Sequence, residues 1–388
     1  MVETKSEQRV EIPRNREYRI EAGEHHRYRT RVVRGLAEVK GAEMVNDKWY
    51  VFTNTKTSLF SFTGCEIEVD GECELAYIGE RAAYPKIYDI FSKIRPGENV
   101  LVLGDGRSTL ALTLCNYFVR DHKTVLFTET DTSRGNVFPG TISTSRINTI
   151  SFGNFKLNTP FCLYYGSREI ENTELYELQL RVLAEKNKEL LQDKTVSGSV
   201  LLGPFTDFGM LDKMVELFGV TRIVVSKNER LYSRIRQRGL EVEVDFVQNS
   251  GYVEENKVSR SIKRYFEGEE LVEVNNNMAL KNVYTPSKIV LGKSGAFTAV
   301  KIGEEFVAPD TALPLGATRK VGVVGVEEVE LVENAVLAIS EAKERDDVAT
   351  SPVVGFLVCL DESSGKMLSV QPKLPKLSFL IQGTLRYF

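Results

Sequence analysis

The chain has 388 residues, too many for one typical core, so two or three domains are expected. Hydrophobic residues make up 42% and charged residues 27%, which excludes a largely disordered protein. The net charge is −4, so a nucleic-acid partner would have to be held by a local basic patch.

The start, MVETKSEQRVEIPRN, is polar and has no apolar signal core. No run of about 18 apolar residues follows anywhere, so no helical membrane span is expected. An intracellular protein is the resulting expectation. Residues 17 to 80 read as short strands: EYRIEA, YRTRVV, LAEVKG, WYVFTN, SLFSF, EIEVDG and ELAYIG, punctuated by glycine. That spacing predicts a small antiparallel sandwich or barrel. The arginines among them (Arg9, Arg14, Arg16, Arg19, Arg27, Arg29, Arg31, Arg34) read as the wet face of alternating strands, with RNA contact as the sharper alternative.

From residue 86 the pattern changes. IYDIFSKI is helical, and ENVLVLG (98–104) is a nearly continuous apolar run, as a buried parallel strand requires. Leu110, Ala111, Leu114, Tyr117 and Phe118 then recur at helical spacing. KTVLFTETD (123–131), GSVLLG (198–203) and TRIVVS (221–226) are further strands. ELYELQLRVLAEKNKELL, MLDKMVELFG and ERLYSRIRQRG are helices between and after them. Alternation of this kind predicts a doubly wound parallel sheet. Beyond residue 268 strands return (ELVEV, KIVLG, FTAVKIG, RKVGVVG). A helix is expected over ELVENAVLAISEA (330–342), then a hairpin turning at Ser364-Gly365 and a last strand over LSFLIQGTLRYF.

The segment Gly104-Asp105-Gly106-Arg107-Ser108-Thr109 has the outline of a phosphate-binding loop. An intact loop, G-x-x-x-x-G-K-[ST], wraps phosphate with backbone N–H groups, reaches it with a lysine and holds magnesium with a hydroxyl. Here Asp105 alone separates the glycines, Arg107 stands for the lysine, and Ser108 and Thr109 keep the hydroxyls. A shortened loop cannot enclose a phosphate, and Asp105 adds negative charge where an anion should sit. Taken alone, the segment is better read as a tight strand-to-helix turn with Ser/Thr near the helix start. Asp131 sits where a magnesium-organising or general-base carboxylate would stand, or is a plain loop acid. Val258–Tyr265, with Arg260, is a candidate basic lid or a solvated helix face. The cysteines Cys65, Cys73, Cys115, Cys162 and Cys359 form no CxxC, and the histidines His25, His26 and His122 are scattered. Free thiols are therefore expected rather than a zinc site.

Ordered anchors span the whole chain: the N-terminal strands up to FTGC (62–65), LCNYFVR (114–120), PGT (139–141), NERLY (228–232), SGYVEENKVSR (250–260) with IKRYFEG (262–268), ALPLG (312–316) and VVGFLV (353–358). In these the sequence resembles the cleavage-and-polyadenylation factor subunit related to eukaryotic polynucleotide 5'-hydroxyl kinases. The resemblance implies an N-terminal β-sandwich domain over 1–85, a central P-loop kinase-like α/β domain over 86–268 and a C-terminal α/β domain over 269–388. The fold class is thus α/β, a P-loop NTPase-like parallel sheet flanked by a small all-β domain and a C-terminal α+β domain. Animal members phosphorylate RNA 5'-hydroxyls with ATP and magnesium and also serve tRNA splicing. Fungal members bind ATP, lack the activity and act as scaffolds that dock the subunit binding the RNA polymerase II C-terminal domain.

Carried over residue by residue, the family's nucleotide contacts fall on Glu17, Lys56, Gly104, Gly106, Arg107, Ser108 and Thr109. Ser108 and Asp131 fall at its metal site, and Asp131 and Arg260 at its catalytic positions. The family's Gly-Gln-Gly is Ser133-Arg134-Gly135 here. Its substrate-clamping tryptophan is missing from Gly203–Asp207, and the chain's only tryptophan is Trp49. Lys123 begins a strand at the wrong end to replace the lost lysine. The resemblance therefore implies a nuclear structural subunit without kinase activity, with Asp131 and Arg260 vestigial and ATP and magnesium disfavoured by the short loop. The alternatives are an active RNA 5'-hydroxyl kinase or an ATP-holding scaffold.

Overall fold

The computed structural model describes residues 8–23, 26–153, 155, 157–248, 258–268, 270–274, 277–281, 283–291, 297–303, 324–374, 376 and 378–387. The first strands are β1 (Gln8–Ile12), β2 (Arg16–Ala22), β3 (Tyr28–Gly35), β4 (Glu38–Val39), β5 (Ala42–Glu43), β6 (Tyr50–Phe52), β7 (Thr55–Ser61), β8 (Cys65–Gly71) and β9 (Leu75–Gly79). They form two sheets, ordered β1-β8-β3-β6 and β5-β4-β7-β2-β9. Ile12, Ile20, Val32, Leu59 and Ile67 close the core between them. The outer face of the first sheet explains the early arginines. Arg29 stands opposite Asp70 and Arg31 opposite Glu68 across β3 and β8, at 2.6 Å in each case. Arg9 reaches both Glu66 and Glu68 at 3.2 Å. Arg29 and Arg31 also lie over the Trp49 ring, 4.5 and 4.7 Å from its centroid. These side chains form cross-strand charge pairs on a solvated face.

The central part runs α1 (Tyr84–Lys93), β10 (Asn99–Gly104), α2 (Arg107–Arg120), β11 (Thr124–Glu129), β12 (Thr141–Ile147), β13 (Asn158–Tyr164), α3 (Thr173–Leu191), β14 (Val196–Leu202), α4 (Phe208–Phe218), β15 (Arg222–Ser226), α5 (Glu229–Gln237), β16 (Glu243–Val247) and α6 (Val258–Glu267). Its sheet order is β13-β12-β11-β14-β10-β15-β16. The strands from β11 to β16 pair in parallel, as the apolar runs predict, and β12 and β13 add an antiparallel extension that those runs do not reveal. Val100, Val102, Val200 and Val224 face α1 and α2; Leu101, Leu103, Leu201 and Ile223 face α3 and α4. The sheet is thus apolar on both faces, as a parallel sheet must be. Chain direction away from the centre reverses at β10 and β14, so the crevice at their carboxyl ends is where such folds bind ligands.

The last part carries β17 (Glu270–Val274), β18 (Asn277–Lys281), β19 (Ser287–Val290), β20 (Thr298–Ile302), β21 (Val326–Glu328), β22 (Ala335–Ser340), β23 (Val353–Asp361), β24 (Lys366–Ser369) and β25 (Phe379–Arg386). One sheet runs β19-β24-β23-β22-β25-β20-β21, with β17 and β18 paired separately. The expected helix over 330–342 is not formed. Asn334 takes φ 61° and the next six residues become β22, buried at every position in the middle of the sheet. Ala and Leu favour helix, but a strand with neighbours on both sides rewards a continuous apolar run more than local propensity does. The expected hairpin is present, with Gly365 at φ 65°, and the last strand is β25. RKVGVVG lies almost wholly outside the described residues.

The central and C-terminal parts share one hydrophobic core, while the sandwich keeps its own and meets the central part through single contacts. Phe60 of β7 stacks on Tyr84 of α1 at 4.7 Å, and the Lys40 N–H donates to Tyr84 Oη at 2.9 Å. Asn116 of α2 donates to the carbonyls of Lys40 and Ser151. On the other side Phe138 stacks on Phe356 of β23 at 4.0 Å, beside Phe266 of α6.

Candidate functional site

Strand β10 delivers Gly104 to the carboxyl edge of the sheet. Both glycines of the loop have positive φ, 90° at Gly104 and 73° at Gly106. A Cβ at Gly104 would lie 2.1 Å from the Ser226 carbonyl oxygen, so a side chain is excluded there. The loop turns so tightly because its Asp105 N–H donates to that same carbonyl, at 3.2 Å. A longer loop would aim this N–H at a phosphate; here it is spent on β15.

Arg107 opens α2 and points across the crevice. Its Nη1 donates to the Gly104 carbonyl at 3.1 Å, and its Nη2 to Asp131 Oδ2. Asp131 Oδ1 accepts from the Ser133 N–H at 3.1 Å and from Ser133 Oγ at 2.6 Å. Both carboxylate oxygens are therefore engaged by protein donors. Burial works to raise the Asp131 carboxyl, but the Arg107 charge and the Ser133 donors outweigh it and hold it below the usual carboxylate range. The Ser108 hydroxyl accepts from Arg134 Nη1 at 3.1 Å. Two residues before Asp131, Glu129 is buried; the Asn136 N–H donates to its Oε2, while Oε1 has no hydrogen-bond partner. Burial, helped by the Asp131 charge, pushes Glu129 up to about 8.

In this crevice the groups that would meet ATP and magnesium already have partners within the chain. The cation that should meet phosphate is neutralised by Asp131. The carboxylate that should organise the metal has no lone oxygen. The hydroxyl that should bind it is bridged to a second arginine.

The remaining candidates lie apart from this pair. Glu17 is buried on β2, and its Oε1 accepts from Arg19 Nε at 2.6 Å; Arg19 in turn holds the Arg81 carbonyl. Lys56, on β7, pairs with Glu21 at 3.1 Å. Lys56 and Thr109 do line one cleft, with Ser58 and Tyr84, but it encloses about 30 Å³. That is room for a water and not for a nucleobase. Arg260 lies in the first turn of α6, and its side chain is outside the described ones. One face of the helix is packed, with Ile262 and Phe266 buried and Tyr265 Oη accepting the Phe356 N–H of the C-terminal sheet at 3.2 Å, while Lys263 is exposed. Gly203–Asp207 forms a helix entry, with Asp207 Oδ1 capping α4 through the Met210 N–H. The cysteines are free, and among the described residues no cluster of His, Cys, Asp and Glu could hold a metal.

Sequence reasoning missed Arg19, Glu129 and Arg134. The period-two pattern of β2 puts Arg19 on the same face as Glu17, which could have suggested their pairing. Nothing in the sequence signals that Arg134 reaches Ser108.

A small β-sandwich ahead of a P-loop-type α/β sheet, followed by a second sheet docked through α6, defines the class as a three-part P-loop protein of the polynucleotide-kinase type. Three family profiles match in order: the N-terminal beta-sandwich domain of polyadenylation factor over residues 11–95, the mRNA cleavage and polyadenylation factor CLP1 P-loop over 104–268, and the pre-mRNA cleavage complex II protein Clp1 over 285–388. The chain belongs to the Clp1 family of mRNA cleavage and polyadenylation factors.

It is 27% identical to a protein CLP1 homolog of Dictyostelium discoideum, over 92% of this chain and 84% of that one. It is also 27% identical to the polyribonucleotide 5'-hydroxyl-kinase Clp1 of Gallus gallus, over 99% and 97%. Among solved structures, Clp1p in a wild-type complex with a Pcf11p fragment aligns with TM-score 0.78 and 21% identity, covering 98% of each chain. A second Clp1p–Pcf11p structure, which concerns ATP loss in a point mutant, aligns at 0.77. These likenesses show a shared fold.

Proposed function

We propose that this protein is a structural subunit of the nuclear pre-mRNA 3'-end cleavage and polyadenylation complex, without kinase activity. The observation that carries this reading is the Arg107–Asp131 pair, which takes up both the cation and the acid that phosphoryl transfer needs. Phosphoryl transfer depends almost wholly on positioning and charge stabilisation. A site whose charges already satisfy one another supplies neither. The core shared by the central and C-terminal parts, with the sandwich fastened to α1 and α2, suits a rigid docking body. The family and the Clp1p–Pcf11p complexes support a partner of the Pcf11 kind, the subunit that binds the RNA polymerase II C-terminal domain. Domain limits at 1–85, 86–268 and 269–388 are proposed with it.

The test is calorimetric titration with ATP and magnesium, alongside phosphorylation of a 5'-hydroxyl RNA oligonucleotide. The expected result is no phosphorylation and no ATP binding in the micromolar range. Phosphorylation abolished by Asp131→Ala would establish the kinase reading instead. Micromolar ATP binding without turnover would establish a nucleotide-holding scaffold, with Lys56 and Thr109 flanking the opened cleft.

A further inference from the structure

Helix α5 carries Arg230, Arg234 and Arg238 at successive i, i+4 positions, the last just past its end. They therefore share one face, and all three are exposed. Arg234 and Arg238 lie over the ring of Phe208, the first residue of α4, at 4.5 and 5.0 Å from its centroid. On the adjoining strip Arg236 lies 5.7 Å from the Tyr232 ring.

Within the folded chain this arrangement is poorly compensated. Like charges at i, i+4 repel. Among the described residues only Arg238 of the three meets a carboxylate, that of Asp212. Arginines in the last turn are favoured by the helix dipole, but Arg230 stands in the first turn, where a cation is disfavoured, and no acid among the described residues pairs with it. The chain's net charge is −4, so this track is a local excess of positive charge on an acidic protein.

From this we infer that the exposed face of α5, with Phe208 and Tyr232, is a binding surface for single-stranded RNA. The arginines neutralise successive phosphates, and the exposed guanidinium groups held over the two partly buried rings offer planar faces to bases. An acidic protein would satisfy the charge but has no use for the planar surfaces, so RNA is the occupant the geometry favours. The N-terminal arginines are a poorer site, because Arg9, Arg29 and Arg31 already hold Glu66, Glu68 and Asp70. This inference is independent of whether ATP binds.

The experiment is fluorescence anisotropy of the full chain with a labelled unstructured RNA oligonucleotide at several salt concentrations, with poly-glutamate as the competing anion. Arg230→Ala is the fold-safe variant, since this exposed side chain has no hydrogen-bond or ion-pair partner among the described residues. Arg230→Ala with Arg234→Ala should weaken RNA binding on the order of tenfold or more and lower the salt slope by about 1.4. Phe208→Leu should weaken RNA but leave its salt slope unchanged. RNA binding unaffected by Arg230→Ala and by the double variant would overturn the inference, as would no RNA binding by the wild type. So would poly-glutamate competing as well as RNA while Phe208→Leu binds normally, which would make the surface a dock for acidic protein.

Discussion

Arg107 and Asp131 are 24 residues apart in sequence, yet they determine what the loop can do. Asp131 is 3% exposed and Arg107 19%, so the pair is held largely out of water. Removing one partner of such a pair strands a buried charge, whereas replacing both with apolar residues is often nearly neutral. Asp131→Leu and Arg107→Leu should each cost about 2–4 kcal/mol. The double variant should cost clearly less than their sum, measured by denaturant unfolding. Additive costs would mean that the two charges are solvated separately. The loop's glycines and its missing lysine are legible in the sequence. The counter-ion is not, because no spacing rule links the start of one helix to the end of a neighbouring strand.

Among the elements, the parallel strands announce themselves through apolar runs such as Val100–Leu103. β12 does not. Its Thr141, Ser143, Thr144 and Ser145 are buried, with the hydroxyls of Thr141, Thr144 and Ser145 bonded to the Phe138 carbonyl, Thr128 and the Asn158 carbonyl, so hydrophobic periodicity passes over it. β22 errs in the opposite direction, with helix-favouring residues that only the surrounding sheet turns into a strand. Helix α6 shows a third limit, because a basic stretch reads as surface until its Phe266 is found wholly buried beside Tyr387 and Phe138. Phe266→Ala should cost about 3–5 kcal/mol and loosen the attachment of the C-terminal sheet. Hydrogen exchange would register this as faster exchange in β22 and β23 than in β10. Equal change in all three strands would show that the sheets unfold as one unit.

For the whole molecule, the sandwich is fastened to the central part through Glu38 of β4. Its carboxylate accepts from Tyr117 Oη at 2.6 Å and pairs with Arg120, both on α2. Burial raises the Glu38 carboxyl, and this outweighs the lowering by Tyr117 and Arg120. A carboxyl whose folded value is raised holds its proton more tightly in the folded state. Its contribution to stability is then full below the ordinary value of 4.5 and declines as pH rises through the raised value. The stability advantage of the wild type over Glu38→Gln should therefore be greatest near pH 4 and shrink toward neutrality, as read by thermal melting across that range. An advantage that grew with pH would place the Arg120 charge above burial. The order of three domains was readable from the sequence because strand and helix patterns change near residues 86 and 268. The fastening was not, since it depends on single buried polar groups.

A protein that binds a nucleotide is stabilised by it in proportion to the logarithm of the nucleotide's concentration, and so reports on the cell's supply. The guanidinium lodged against Asp131 is a counter-ion that belongs to the chain itself, so its supply does not vary. On the scaffold reading, a complex built on this subunit keeps the same stability and shape whether ATP is plentiful or scarce.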